Sequence, residues 1–117
     1  MVFHGITKSF STLGDDQYNT IGAFWDEMSE KYGLENLRGL GYSWHDNMIE
    51  YAIGLKEGIV PGVNFSIELP NDGWQRFVGM TDNLERIYDE IYKLGPLTYE
   101  IESFNNSGEC EILYFRK

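Results

Sequence analysis

The spacing of apolar residues changes in the same order twice along this chain, and that order limits the folds it can adopt. In each half, a strand-like segment precedes a helix-like segment, and two more strand-like segments follow. Apolar residues at every second position are typical of a half-buried strand, whereas a spacing of three and four is typical of one helix face. The pattern therefore predicts two βαββ units, with one further strand connecting them.

In the first unit, the helix is predicted from one apolar face, and Gly33 is expected to end it. That face consists of Ile21, Phe24, Trp25, Met28 and Tyr32. Strands are predicted at residues 2–11, 37–44 and 48–56, and the turn HDN joins the last two. The connecting strand is predicted at residues 63–70, where Pro70 ends it.

In the second unit, strands are predicted at residues 74–80, 97–104 and 110–117. The helix is expected to begin at Thr81 or Asp82, with Glu85 completing a capping box if Asp82 is the cap. Its apolar stripe consists of Leu84, Ile87, Tyr88, Ile91 and Leu94, and Gly95-Pro96 ends it. Because hairpins dominate, we predict a single α+β domain over residues 1–117, with two helices on a mainly antiparallel sheet.

The strand LTYEIESF, residues 97–104, raises a question about its acidic side. Strict alternation predicts one apolar face that carries Leu97, Tyr99 and Ile101. The other face carries Glu100, Glu102 and Phe104. Glutamate is disfavoured inside strands, and two carboxylates on one face raise each other's pKa unless water or a cation separates them. From the residues alone, this face is either solvated or the wall of a pocket that suits a positive ligand.

Charge narrows the class of partner. Nine basic and nineteen acidic residues give a formal net charge of −10. This charge argues against nucleic acid, whose binding requires Lys and Arg to neutralise phosphates, and anionic membranes would repel the protein too. The field favours a cationic small molecule or a basic protein patch, although solubility also explains it. Aromatic residues make up 15% of the chain, enough to form a core and to surround a flat organic ligand.

Motifs for metal, nucleotide or triad chemistry are absent from the sequence. His4 and His45 have no metal-ligand spacing, and no GxSxG or phosphate-binding glycine loop occurs. We therefore expect neither a metal nor a cofactor. The single Cys110 rules out an internal disulfide and fits a reducing cytoplasm. The first residues, MVFHGITKSFS, lack a signal-peptide core, and no run could span a membrane, so a cytoplasmic protein is expected.

Several segments together resemble one known family. These are, in order, IGAFWDEM, RGLGYSW, IEYAIGL, ELPNDGWQRFVG, YEIESFNN and CEILYFRK. In this order they are similar to the GyrI-like small-molecule-binding domain, which also forms the effector-binding half of AraC-type and multidrug-responsive MerR-type transcription regulators. The resemblance implies two βαββ units related by a pseudo-two-fold axis, with an aromatic-lined cleft between them. It also implies a stand-alone member, because no DNA-binding segment is attached.

For function, the resemblance implies binding of bulky, often cationic aromatic compounds, with a buried glutamate as countercharge. That glutamate is Glu102 if IESF is the matching tetrapeptide and Glu100 if YEIE is. Trp25, Tyr51 and Phe104 are the aromatic candidates of the ligand site. One alternative is a metal-independent hydrolase of strained cyclopropane-bearing alkylating compounds, with Glu102 as general base. Another is a gyrase-inhibitor-type interaction module, with a basic protein partner or a second copy of the chain as partner.

Overall fold

The structure, a computed structural model that describes residues 1–116, contains seven strands and two helices in the α+β arrangement. The strands are β1 (Val2–Ser11), β2 (Leu37–His45), β3 (Met48–Leu55), β4 (Phe65–Glu68), β5 (Gln75–Met80), β6 (Tyr99–Phe104) and β7 (Glu109–Phe115). The helices are α1 (Gln17–Tyr32) and α2 (Leu84–Tyr92). The strands form one sheet in the order β4-β1-β3-β2-β6-β7-β5, and each neighbouring pair is antiparallel.

The sheet order confirms the two βαββ units. The first unit contributes the strands β1-β3-β2, and the second contributes β6-β7-β5. In each unit, the strand that follows the helix lies at the centre of the sheet, and the strand that precedes the helix lies furthest from it. The units are therefore related by a pseudo-two-fold axis at the β2–β6 pair, and the connecting strand β4 extends the sheet beyond β1.

Both helices pack on the same face of the sheet. Phe24, Trp25 and Met28 of α1 share one buried cluster with Ile87, Tyr88 and Ile91 of α2. The opposite face carries a second, smaller buried cluster, which consists of Phe3, Leu40, Ala52, Leu69 and Ile101. Apolar residues thus cover the central strands on both sides, which makes these strands the most deeply buried part of the fold.

The start of α2 differs from the prediction. Residues Thr81–Asn83 form a 3-10 turn, and α2 begins at Leu84 without a side-chain cap. The capping box of Asp82 and Glu85 is therefore wrong. In the 3-10 turn, the backbone N–H of Leu84 donates to the Thr81 carbonyl oxygen. The first N–H group of α2 therefore has a backbone partner in place of the predicted side-chain cap. At the other helix, α1 begins at Gln17 and not at Ile21, where the predicted apolar face starts, because Tyr18 extends that face by one turn and packs against the core.

Leu94 and Leu97 do not have the surroundings that the apolar pattern predicts. Leu94 is 75% exposed, because α2 ends at Tyr92 and the buried stripe does not continue past it. Leu97 is buried, but on the helix side together with Phe104, and not with Tyr99 and Ile101. The reason is that β6 begins only at Tyr99, so strand alternation does not reach residue 97. No helix in residues 1–116 is both long enough and apolar enough to cross a membrane.

Candidate functional site

A cavity of about 1000 Å³ lies between α1 and α2, above the central strands. Its walls come from both helices, and its floor comes from β3 and β6, so both βαββ units contribute to it. Small-molecule sites in proteins commonly measure ~300–1,000 Å³. This cavity therefore has room for a compound with several fused or linked rings.

The structure places all five predicted site residues in this cavity. They are Trp25, Tyr51, Glu100, Glu102 and Phe104. Both glutamates are only 4% exposed. The acidic face of β6 is thus not a solvated face, which answers the question that alternation alone left open. Two buried carboxyl groups at one site are unusual, because a buried charge needs a partner.

The carboxyl group of Glu102 ends a chain of hydrogen bonds that crosses the core. The indole Nε1 of Trp25 donates to the Tyr51 hydroxyl oxygen at 2.8 Å, and that hydroxyl donates to Oε1 of Glu102. The Phe104 ring meets the Trp25 ring edge-on, with ring centroids 4.8 Å apart. Because the indole N–H can only donate, the Tyr51 oxygen accepts from it and the Tyr51 proton is directed at Glu102. This chain favours the ionised form of Glu102.

The carboxyl group of Glu100 accepts a hydrogen bond from the opposite wall of the cavity. The Tyr92 hydroxyl on α2 donates to Oε2 of Glu100 at 2.9 Å. Tyr88, one turn earlier on α2, stacks on Tyr92 with centroids 5.5 Å apart. Each glutamate is therefore bound by a tyrosine from a different element, β3 in one case and α2 in the other.

Two buried polar atoms on the cavity wall make no hydrogen bond to the described part of the chain. They are the Tyr88 hydroxyl and Oε1 of Gln17. The Tyr88 hydroxyl nevertheless lies close enough to Glu102 to lower the pKa of that carboxyl group. Buried polar atoms normally have partners, so these two are suited to polar groups of a bound molecule.

Two glycines of β2 make room for the acid pair. Gly39 lies opposite Glu102 and Gly41 lies opposite Glu100 in the β2–β6 register. A Cβ atom on Gly41 would lie 2.7 Å from Oε1 of Glu100, and one on Gly39 would lie 2.1 Å from the Tyr51 hydroxyl oxygen. The Glu100 side chain and the Tyr51 hydroxyl therefore occupy space that a side chain at positions 39 and 41 would fill.

A β-bulge in β2 brings another aromatic ring into the cavity. The register with β3 shifts between Tyr42 and His45, and Ser43 has the left-handed φ of 53°. With regular alternation, Trp44 would share the face of Leu40 and Tyr42. The extra residue turns it to the helix side, where it lines the cavity. Bulges beside binding sites commonly re-aim a side chain in this way.

In the part of the chain that the structure describes, the charged side chains that line the cavity are all acidic. Seven aromatic residues line it: Tyr18, Trp25, Trp44, Tyr51, Tyr88, Tyr92 and Phe104. Four acidic residues also line it: the two buried glutamates and the exposed Asp26 and Asp82. Among the described residues on its walls, none is Lys, Arg or His. The electrostatic potential inside therefore favours a cation.

Burial shifts the pKa of both glutamates upward. For Glu100, desolvation is the largest cause and the negative charge of Glu102 adds to it, so its pKa lies well above the usual value. Desolvation also raises the pKa of Glu102, while the hydrogen bond from Tyr51 and the nearby Tyr88 hydroxyl oppose the rise. When the pair carries a single charge, that charge therefore lies on Glu102. Burial raises the pKa of Tyr51, Tyr88 and Tyr92 as well, so their hydroxyls stay protonated.

The residues that might have suggested metal or thiol chemistry lie outside this site. His4 bonds Ser66 at the β1–β4 edge, and His45 is exposed in the β2–β3 turn. Cys110 is buried in β7 and does not line the cavity. Among the side chains that the structure describes, those of residues 1–14 and 16–116, no three of His, Cys, Asp or Glu are grouped in a way that could hold a metal ion.

Sequence reasoning missed several residues of the site. Tyr88 lay in the predicted apolar stripe of α2, but Tyr92, one turn later, was not considered. The glycine spacing in RGLGY was visible, yet only the β2–β6 register shows that it faces the glutamates. Trp44 had no local signal, because the bulge that turns it depends on the backbone at Ser43.

Comparisons of the chain with protein-family models, with curated proteins and with solved structures find no match.

Proposed function

We propose that this protein binds bulky, flat, aromatic cations and serves in the cytoplasm to sense or sequester them. One observation carries the proposal: the cavity combines seven aromatic rings and two buried carboxyl groups, while the described lining residues include no basic side chain. A ligand that complements such walls is aromatic and positively charged.

The energy of binding would come from two sources. A cation stacked on Trp or Tyr gains roughly 0.5–2 kcal/mol per good contact, in addition to the burial of its ring area. Pairing with Glu102 adds a charge interaction that is stronger inside the protein than in water. A neutral compound of the same shape keeps the ring burial but loses the charge interaction, so the cavity should select by charge.

The proposal agrees with what the resemblance to GyrI-like domains implies. Of the two glutamates that the resemblance allows as countercharge, we assign the role to Glu102. The Trp25–Tyr51 chain ends on its carboxylate, and the Tyr88 hydroxyl lies nearby, so its charged form has the better support.

A second candidate is the hydrolysis of strained cyclopropane-bearing alkylating compounds. It is favoured by the two neighbouring buried carboxyl groups, of which Glu102 has the better-supported charged form because Tyr51 donates to it. Glu102 would take the proton of a water molecule as its oxygen bonds to a ring carbon. The ring bond would break, and its electron pair would be protonated by Glu100. Such turnover yields a product with the mass of one added water, whereas a binding protein only saturates.

Calorimetric titration with flat aromatic cations and their neutral isosteres tests the proposal. We expect micromolar binding of cations, much weaker binding of the isosteres, and at least about tenfold weaker cation binding by Glu102→Gln. Glu50→Gln is the matched control, because Glu50 bonds Ser9 on the opposite face of the sheet and does not line the cavity. Equal affinities for cations and isosteres, or equal losses in the two variants, would refute the proposal. Mass spectrometry of the incubated compounds detects hydrolysis.

A further inference from the structure

We propose that Glu100 and Glu102 form a two-acid site with one exchangeable proton, so that the cavity binds flat aromatic dications with release of that proton and monocations without release. The inference rests on the proposed function, because it concerns the same cavity. It goes further by assigning a second role to Glu100 and a preferred class of ligand.

The geometry of β6 sets the spacing of the two acids. Glu100 and Glu102 point to the same face and are two residues apart, which places their Cα atoms about 7 Å apart along the strand. They are bound from different sides, by Tyr92 on α2 and by Tyr51 on β3. The two carboxyl groups are therefore separate positions for positive charge, and a rigid ligand can meet both only if its charges have a similar separation.

The surroundings of the pair cannot neutralise two negative charges. The titratable groups that line the cavity around it are Tyr18 and Asp26 on α1, Tyr51 on β3, Asp82 before α2, and Tyr88 and Tyr92 on α2. From β7, Cys110 lies near enough to feel the charge of Glu102. From β1, the exposed Lys8 lies over the Phe24 ring, with its Nζ 4.6 Å from the ring centroid, and does not line the cavity. None of the groups on the wall is positive, and a buried charge without a partner is costly.

One proton on the pair removes most of this cost. Burial raises the pKa of Glu102 as well, but Glu102 is the better place for the charge, because Tyr51 donates to it and the nearby Tyr88 hydroxyl lowers its pKa. Glu100 takes the proton, because burial and the neighbouring charge both raise its pKa. The unliganded site therefore carries about one negative charge, which matches a monocation without further change.

A dication changes this balance. Its first charge pairs with Glu102, and its second lies beside Glu100 and favours the ionised form there. The Glu100 proton leaves to solvent, and two positive charges then face two negative ones. Since only the deprotonated pair matches the dication, affinity for it should rise with pH by up to about tenfold per unit below the pKa of Glu100.

Two probes of the same shape test the inference. N,N′-dimethyl-4,4′-bipyridinium is a flat dication whose nitrogens have a separation similar to that of the two Cα atoms along the strand, and N-methyl-4-phenylpyridinium is its monocationic counterpart. Calorimetry at neutral pH in phosphate and in Tris, which differ in ionisation enthalpy, counts the protons released. We expect about one proton for the dication and about none for the monocation.

Glu100→Gln supplies the second arm. It should abolish proton release and weaken dication binding more than monocation binding, while Glu50→Gln should behave as the wild type. Dication binding without proton release by the wild-type protein overturns the inference and leaves the proposed function intact; this measurement needs no variant to fold. Proton release that persists in Glu100→Gln also overturns it. If neither probe binds, the proposed function fails, and the inference fails with it.

Discussion

Replacing Gly39 by alanine should damage the site and the fold together. Gly39 lies in β2 opposite Glu102, and its missing side chain leaves the space that the Tyr51 hydroxyl occupies. An alanine Cβ would lie 2.1 Å from that hydroxyl oxygen and 2.9 Å from Cζ2 of Trp25. Ordinary contacts begin near 3.4 Å, so the hydroxyl must move by about 1.3 Å, the difference between 3.4 Å and 2.1 Å.

The tyrosine has little freedom to make this movement. Tyr51 has no exposed surface, and the Phe10 ring stands edge-on to it at 6.5 Å. Overpacking of a core costs about 1–3 kcal/mol. Movement of the hydroxyl also breaks its bonds to Trp25 and Glu102, and a buried polar group without its partner costs about 1–3 kcal/mol. Together we expect the Gly39→Ala variant to lose about 2–6 kcal/mol of the free energy of unfolding.

Urea denaturation followed by circular dichroism measures this loss, and Gly22→Ala provides the control. Gly22 lies in α1 at the same cavity, but a Cβ there has no neighbour within 4 Å. Because alanine favours a helix, Gly22→Ala should stabilise the protein by up to about 1 kcal/mol. Cation titration of Gly39→Ala should also show weaker binding, since Glu102 loses its hydrogen bond. If Gly39→Ala unfolds within about 0.5 kcal/mol of the wild type, the packing argument is wrong.

Two further predictions concern pH and the bulge. The pKa of Glu100 and Glu102 is higher in the folded protein than in the unfolded chain, so their contribution to stability is fully present below about pH 4 and is lost as pH rises through the folded pKa values. Glu100→Gln should therefore flatten the fall of stability with pH and be more stable than the wild type at neutral pH; parallel curves from urea denaturation would contradict this. Ser43 has a left-handed φ, which glycine adopts easily and valine does not. Ser43→Gly should therefore keep the free energy of unfolding or raise it by up to about 1 kcal/mol, whereas Ser43→Val should lower it by about 1–2 kcal/mol. Ser43→Val should also expose Trp44, which a red shift of the tryptophan emission would detect. Equal stability and emission of these two variants would show that the bulge does not position Trp44.

Local pattern was sufficient for the elements and for the acid pair. The range predicted for β1, residues 2–11, is the one observed, and both helices bury the faces that their apolar spacing indicated. Alternation placed Glu100, Glu102 and Phe104 on one face of β6, as the structure has them. These features depend on neighbours along the chain, and such neighbours are visible in the sequence.

What the sequence did not indicate depends on contacts between distant segments. Which strand lies beside β6, and in what register, decides whether Gly39 and Gly41 leave room for the glutamates. The partner of Glu100 is Tyr92, placed by the packing of α2. The bulge at Ser43 depends on the pairing of β2 with β3. None of these has a local sequence period, so pattern reasoning could identify the acids but not their surroundings.

The register of β2 and β6 joins the fold to the site. On the helix side it sets glycine against each glutamate, and on the other side it sets Leu40 against Ile101 in a buried apolar cluster. Because side chains alternate, a slip of one residue would turn Leu40 toward the cavity and bring its side chain against the glutamates. The apolar pair thus fixes the register that the acidic pair needs. The acid pair lies where the two units meet and both faces of the sheet are covered, so its packed surroundings hold the two buried carboxyl groups in place.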